Sequence, residues 1–475
     1  MTGAGWDIET DVVVAGAGCA GLAAAVGAAE HGAETVVLER AGGWGGASAQ
    51  SGGLIYLGGG TELQKACGVG DTPEAMAAFL EAATGPGPNV EKIDIYCERS
   101  VDHFDWLVSC GVPFKAELYD QPGWEPPGDE GLMFCGGENA HPFNAIAQPA
   151  PRGHVPQMTG KRTGVKGGGW MLVHHLAAEA ERRGVTTRYD SPLERLVVGD
   201  GGVEGVIVRQ YGSEVAIRAR RGVVLATGGF VFNDDMLSEH APHLLGRLKL
   251  GTDGDDGGSI RLAQGLGAAV TRMGSGEAAI SVDPKLLVRG LLVDRTGQRF
   301  INEDSYPGRI GQKALTEHAG EVFLLLDETG FDEDAARRFG LRLSWVGADA
   351  AELETEMDLP SGVLQATVDV FNNHATATGT DPVFHKDPKW VRPLTGPIGA
   401  IDLRLGEMTF ATFTLGGLDT TIDGEVRHVD GHCIGGLFAA GRTTSGIPAT
   451  GYVSGTSLGD ATFFGRRAGA AAARR

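Results

Sequence analysis

The segment Asp11–Glu39 has very few folded solutions. Asp11–Ala15 (DVVVA) is a continuous apolar run of strand length, followed at once by Gly16-Ala17-Gly18-Cys19-Ala20-Gly21. Leu22–His31 is alanine-rich and helical, and Thr35–Glu39 (TVVLE) is a second strand that ends in an acid. Strand, glycine turn, helix and strand make a βαβ unit, in which the two strands run parallel and the helix crosses one face. The glycines have separate physical roles. Gly16 permits the tight turn, Gly18 lets a pyrophosphate approach the backbone, and Gly21 lets helix and strand pack closely. The first helical amides, at Cys19 and Ala20, present the positive end of the helix dipole to phosphates. Glu39, followed by Arg40, stands where both ribose hydroxyls are accepted. The unit predicts a dinucleotide site on an α/β fold.

Other broad classes are disfavoured by composition. The 475 residues suffice for two or three domains. The net charge of −21 argues against nucleic acid and anionic membrane as partners. None of the six cysteines forms a C-x-x-C pair and no Cys/His cluster has zinc spacing, so no metal is expected and a reduced, cytoplasmic setting is the simplest reading. The N-terminus lacks the apolar core of a signal peptide, and no run approaches the roughly 20 apolar residues of a transmembrane segment. The basic, alanine-rich tail Arg466–Arg475 reads as a frayed helix end.

The fingerprint alone does not choose between FAD and NAD. The segment Gly42–Gly53 (GGWGGASAQSGG) does. It resembles the glycine/serine loop that runs past the flavin in the succinate dehydrogenase/fumarate reductase flavoprotein superfamily, with Ala47, Ser48, Ser51, Gly52 and Gly53 small enough for backbone amides to reach the ring. Further segments follow in family order. Arg195–Val198 and Val203–Ala219 read as a β-meander that brings Leu196 to the cofactor. Val223–Gly229 (VVLATGG) resembles the strand and turn over the adenine side, with Ala226, Thr227 and Gly228 as contacts. Gly251–Gly258 resembles a T-G-D-G element around Gly254, Asp255 and Gly257. Gly435–Gly441 leads back to the flavin, with Arg442 next. The loop to Gly459 then carries Gly455, and Ser457-Leu458 begins the last helix, whose dipole faces the flavin's N1–O2 edge. The resemblance implies FAD. Family members with covalent FAD use a histidine near the first loop, and no histidine lies between His31 and His103, so a non-covalent flavin is expected. No second GxGxxG follows a strand, which leaves the electron acceptor open. The implied architecture is a Rossmann-like FAD-binding domain (parallel sheet with β-meander; residues 1–274 and 405–475) and an inserted α+β cap or catalytic domain (275–404).

Within the cap, Gly290–Pro307 looks like a hairpin turning at Thr296-Gly297, and Asp358–Ala377 has helical spacing. Dicarboxylate reductases of this superfamily need cations at three places, and this chain lacks them. After the R-F-x-N-E run (Arg299–Glu303), Tyr306 stands at or beside the position of the proton-donating arginine, and Arg309 comes slightly late. The H-H-T-x-G-G motif reads Thr412-Phe413-Thr414-Leu415-Gly416-Gly417. The final arginine becomes Tyr452. Burying two carboxylates without cations costs several kcal/mol each. Neutral, protic groups take their place: Tyr306, Tyr452 and Ser454.

This trio resembles the 3-ketosteroid dehydrogenases. The Δ1 branch follows its tyrosine with a Pro-Gly-Pro-Gly-type sequence, whereas Tyr452-Val453-Ser454 looks like the Δ4-(5α) branch. The implied substrate is a small apolar ketone, a 3-oxo-5α-steroid. Tyr452 is expected to polarise or orient the carbonyl end, with Ser454 and Tyr306 as a proton relay. Leu54–Leu57 could line an apolar pocket or simply be core. Three readings stand beside this one: Δ1 action, a flavin-dependent reductase of another unsaturated compound, and a non-catalytic electron-transfer subunit.

Overall fold

Val12, Val13 and Val14 are fully buried, which fits a strand covered on both faces. In the computed structural model, which describes residues 5–157, 167–404 and 409–475, the strand Ile8–Ala15 is central. It pairs in parallel with Thr35–Leu38 on one side and Ser213–Leu225 on the other. Cys433–Ala439 and Thr186–Arg188 extend the sheet in parallel, and Glu425–Arg427 adds an antiparallel edge. The expected meander is Leu193–Gly199, Gly202–Gln210 and Ser213–Leu225. Its third strand is longer than the pattern suggests. Residues 213–218 pair within the meander and 217–225 pair with the central strand, so this strand joins the meander to the parallel part of one sheet. Residues 1–4 and the expected boundary at 405 lie outside the described residues.

The first helix, Cys19–Glu30, is buried along nearly its whole length. It packs on the C-terminal helix Thr456–Arg474 through glycines. A Cβ built on Gly465 would overlap the Ala20 carbonyl, one on Gly469 the Ala24 carbonyl, and one on Gly27 the Arg466 carbonyl. The backbones therefore meet with no side chain between them. The tail is thus no frayed end: Ala468, Ala470, Ala472 and Ala473 are buried. Small residues in that run are what close helix packing requires.

Residues 54–157 form a layer that no motif announced. Four short strands, Ile55–Tyr56, Gly153–His154, Leu132–Met133 and Leu118–Tyr119, make a small sheet beside the helices Pro73–Ala83, Val90–Glu98 and Ser100–Ser109. Leu54–Leu57 are buried in its core.

Strands Gly276–Ile280 and Phe410–Thr414 pair antiparallel at the root of the inserted region. Beyond them lies an antiparallel sheet in the order Leu291–Asp294, Val322–Asp327, Ile398–Asp402 and Leu343–Gly347. Alternation of side chains splits its core. Leu292, Leu324 and Ile401 pack on one face, and Leu291, Phe323 and Ala400 on the other. The hairpin expected over 290–307 has only one return bridge, Val293 to Arg299. Arg299 is instead held by two buried carboxylates, Glu303 at 2.8 Å and Asp381 at 2.9 Å, which draw the chain away from the sheet. The helix expected from 358 runs Val363–Thr378, because Pro360 and Gly362, the latter at φ +83°, delay its start. No described helix is long and apolar enough to cross a membrane.

Candidate active site

The nucleotide cradle forms where three parallel strands end beside two helix N-termini. Gly16 has φ +106°, and a Cβ there would overlap the Ala226 carbonyl; one on Gly21 would overlap the Gly16 carbonyl. Both positions admit only glycine. Gly18 differs. A Cβ there would meet nothing closer than Ser48 Oγ at 3.4 Å, an ordinary contact. Nothing in the chain itself demands a glycine at this position, at the N-terminus of the helix that begins with Cys19 and Ala20. Ser48 Oγ accepts from the Cys19 amide at 3.2 Å, and Ser51 Oγ donates to the Ser48 carbonyl, which shapes the short helix Gly46–Gln50 containing Ala47. Gly52 and Gly53 continue the loop, and Gly53 (φ +85°) lies against the backbone of Gly168.

Glu39 is buried and ties the fingerprint together: its two carboxylate oxygens accept from Ala17 N (2.8 Å) and Ala41 N (2.9 Å). Arg40 is turned outward and pairs with Asp256 at 2.9 Å. Leu196 sits half-buried in the meander, against the core behind the central sheet. Ala226, Thr227 and Gly228 form the turn after the central sheet. Asp255 braces it, accepting from Gly229 N at 3.0 Å, Thr252 N at 2.9 Å and Arg442 Nη2 at 3.2 Å. Gly441 (φ +65°) brings the chain to Arg442, whose guanidinium lies over Phe413 at 5.2 Å. Gly455 (φ +91°) caps the last helix and accepts from Tyr56 N, so that Ser457 and Leu458 stand in its first turn.

The reaction face draws on four distant segments. Tyr306 immediately precedes the helix Pro307–Glu317 and is 8 % exposed. Its hydroxyl donates to Glu277 Oε1 at 2.8 Å. Glu277 lies in the strand Gly276–Ile280, directly opposite Phe413. Phe413 meets Tyr452 edge to face at 5.1 Å, and the Tyr452 ring is 6.4 Å from that of Tyr306. Tyr452 Oη accepts from the Ser457 amide at 3.4 Å. Thr412 and Thr414, on the other face of their strand, are engaged with the Leu248 carbonyl and the Phe230 amide. Arg309 stacks over Phe143 at 4.6 Å. Tyr306 and Ser454 line one cleft of about 770 Å³, open mouth included, whose lining is mixed: Trp124, Phe134, Leu287, Val288 and Trp390 are apolar, while Asp120, Asp304, Asp387 and Lys389 bring charge. The structure thus brings Tyr306, Tyr452 and Ser454 together.

A model of the FAD binding domain family matches residues 11–458. The chain belongs to this family. It is similar over its whole length to the crystal structure of 3-ketosteroid-Δ4-(5α)-dehydrogenase from Rhodococcus jostii RHA1 in complex with 4-androstene-3,17-dione. Identity is 55 %, the TM-score 0.96, and coverage 100 % of this chain and 99 % of that one. The 3-oxosteroid 1-dehydrogenase of Mycobacterium tuberculosis (strain ATCC 25618 / H37Rv) is 30 % identical, over 96 % of this chain and 97 % of its own. The fumarate reductase (cytochrome) of Shewanella frigidimarina is 27 % identical, over 98 % and 77 %. The chain is an FAD-dependent oxidoreductase of the succinate dehydrogenase/fumarate reductase superfamily.

The residues present fit FAD. An open strip at Gly18 beside a helix N-terminus suits the pyrophosphate. The N-terminus of the last helix adds a second positive dipole end. Burial pushes the Tyr452 hydroxyl up to about 12. For Tyr306, burial and then the charge of Glu277 push it well above the usual phenol range. Both are neutral hydrogen-bond donors at physiological pH.

One residue of this family member escaped the sequence reading. Glu277 is 1 % exposed, and burial raises its carboxyl to about 7 although the Tyr306 hydrogen bond opposes the shift. Its signal was present, a lone acid in the apolar strand GEAAI, but no motif surrounds it.

Proposed function

We propose that the protein oxidises 3-oxo-5α-steroids by introducing a double bond between carbons 4 and 5. The observation that carries this reading is the neutral, protic set Tyr306, Tyr452 and Ser454 at the positions where the dicarboxylate pattern calls for cations, beside a cleft to which Trp124, Phe134, Leu287 and Val288 give apolar surface. The 55 % identity to the Rhodococcus enzyme supports the Δ4-(5α) branch over the Δ1 branch, whose Mycobacterium relative stands at 30 %.

FAD, when bound, supplies the acceptor for the 5α-hydrogen, taken as a hydride. Gly16, Gly18, Gly21, Glu39 and the first turn of the last helix hold it, without a covalent bond. The protein's own residues handle the proton. The carbonyl at carbon 3 acidifies the hydrogens on carbon 4, and the enolate that develops needs a donor. Tyr452 supplies it, its buried hydroxyl being protonated at physiological pH. Ser454 and Tyr306 carry the departing proton away from carbon 4. Residues 275–404 act as a cap that excludes water from this chemistry. The substrate is a small apolar ketone, the electron acceptor is a separate molecule, and residence in the cytoplasm accords with six cysteines free of disulfides.

Anaerobic addition of a 3-oxo-5α-steroid to the FAD-loaded protein tests the reading. Bleaching of the flavin band is expected, with a product unsaturated at carbons 4 and 5. No bleaching with several such steroids overturns it, and a double bond at carbons 1 and 2 moves the protein to the Δ1 branch.

A further inference from the structure

The relay described above ends on a phenol, and a neutral phenol is a poor final store for a proton. What stands behind it is Glu277. One of its carboxylate oxygens accepts from the Tyr306 hydroxyl at 2.8 Å, while the other, Oε2, is buried with no hydrogen-bond partner. An unpartnered carboxylate oxygen shielded from water disfavours the anion, and taking up a proton removes that penalty.

Among the described residues, only the Tyr306 hydroxyl and the Ala278 amide favour the charged form, and no cation does. The partner strand Phe410–Thr414 brings no ionisable side chain. The helix Pro307–Glu317 brings Arg309, which lies over Phe143, and Lys313, which pairs with Glu317 at 3.6 Å. The last loop brings Tyr452, itself protonated. The glycine that follows Tyr306 in the helix, Gly308, completes the fit: a Cβ there would overlap both the Glu277 carboxylate and the Tyr306 ring. The helix start is therefore shaped around this one hydrogen bond.

We propose that Glu277 receives the proton that leaves the substrate, through Ser454 and Tyr306. This inference rests on the steroid reading above. The carbon 4–hydrogen bond breaks, and its electron pair becomes the new double bond. Ser454 Oγ takes the proton and passes its own to the Tyr306 oxygen. Tyr306 passes its hydroxyl proton to the Glu277 carboxylate, which becomes neutral. The hydrogen on carbon 5 leaves with its electron pair to FAD, so charge and electrons balance. Glu277 touches no substrate; it is a positioning residue that acts through Tyr306 and holds the proton until it exchanges with solvent.

The test uses holoenzyme of the wild type, Glu277→Gln and Glu277→Asp, with anaerobic single turnovers followed across pH by flavin bleaching. The wild-type rate should rise with pH up to about neutrality and then level, because only the carboxylate accepts. Glu277→Gln should be slower on the order of 10²-fold at high pH and should lose the rise, with partial rescue by Glu277→Asp. A Glu277→Gln enzyme that keeps the wild-type rate and pH profile overturns the proposal. A second measurement needs no substrate: infrared difference spectra between acid and alkaline holoenzyme. A protonated-carboxyl band that vanishes through neutrality, is absent from Glu277→Gln and shifts in Tyr306→Phe supports Glu277 as the proton holder. Its absence from the wild type overturns that role. If the wild type fails to bleach with any 3-oxo-5α-steroid, the steroid reading falls, and the infrared result still decides the role of Glu277.

Discussion

The nucleotide cradle and the reaction face lie side by side but are built by opposite means. The cradle is made of backbone. Gly16 and Gly21 are forced by overlap with carbonyls at Ala226 and Gly16, and each oxygen of the Glu39 carboxylate accepts from one amide, of Ala17 or of Ala41. Its central unit is contiguous, within residues 8–38. The reaction face is made of side chains from strand 276–280, the start of helix 307–317, strand 410–414 and the loop before the last helix. A backbone site tolerates almost no change and binds by shape and dipole. A side-chain site can exchange its chemistry on the same frame.

The comparison can be broken most severely at the glycines. Gly21→Val or Gly469→Leu should leave no folded, flavin-carrying protein, because the side chain has to displace a backbone carbonyl; yellow, soluble protein from either variant contradicts the close approach described above. Tyr306→Phe and Tyr452→Phe should behave in the opposite way. Flavin content should stay at the wild-type level while single-turnover bleaching slows by about 10²–10⁴-fold. Near-normal turnover in both removes the hydroxyls from the chemistry.

Smaller effects sharpen the contrast. Glu277 has its carboxyl raised from an ordinary 4.5 to about 7. Between those values the folded protein holds a proton that the unfolded chain has released, so this group's contribution to stability falls as pH rises through that window and stays low above it. At about 1.4 kcal/mol per unit, Glu277→Gln should gain about 3 kcal/mol relative to wild type on going from about pH 4 to about pH 8, read from denaturant melts at each pH. An unchanged difference across that range argues against a strained carboxylate. Smallest is Asp255→Asn. It turns one of the acceptors facing Gly229 N, Thr252 N and Arg442 into a donor, at a cost of about 2 kcal/mol, seen in the same melts. A loss far below this means that the turn holds without its brace.

Much of the cradle was legible because its requirements are local. Gly21, needed for the Gly16 carbonyl five residues away, leaves a fixed spacing in sequence, and so does an acid at the end of the next strand, whereas the Ala226 carbonyl that forces Gly16 lies far along the chain. The trio Tyr306, Tyr452 and Ser454 was legible only through family resemblance, by noting which residues replaced the cations. The C-terminal helix looks frayed in sequence because its alanines and glycines are featureless until Cys19–Glu30 is laid against them. The missing return strand near Arg299 has a similar cause, since Asp381 draws that arginine away from 82 residues along the chain.

The sequence by itself determined the dinucleotide unit, the order of the flavin motifs and the exchange of charge for hydroxyls. The first is a matter of residue types at fixed short spacings; the other two come from resemblance to a family. Only the tertiary structure decided that Glu277 stands behind Tyr306, that the cleft takes its walls from residues 120–140 as well as from 284–307 and 387–390, and that the last helix meets the first backbone to backbone. Each depends on burial and on contacts between segments tens to hundreds of residues apart, and a carboxyl group acquires its unusual proton affinity only when folding removes it from water.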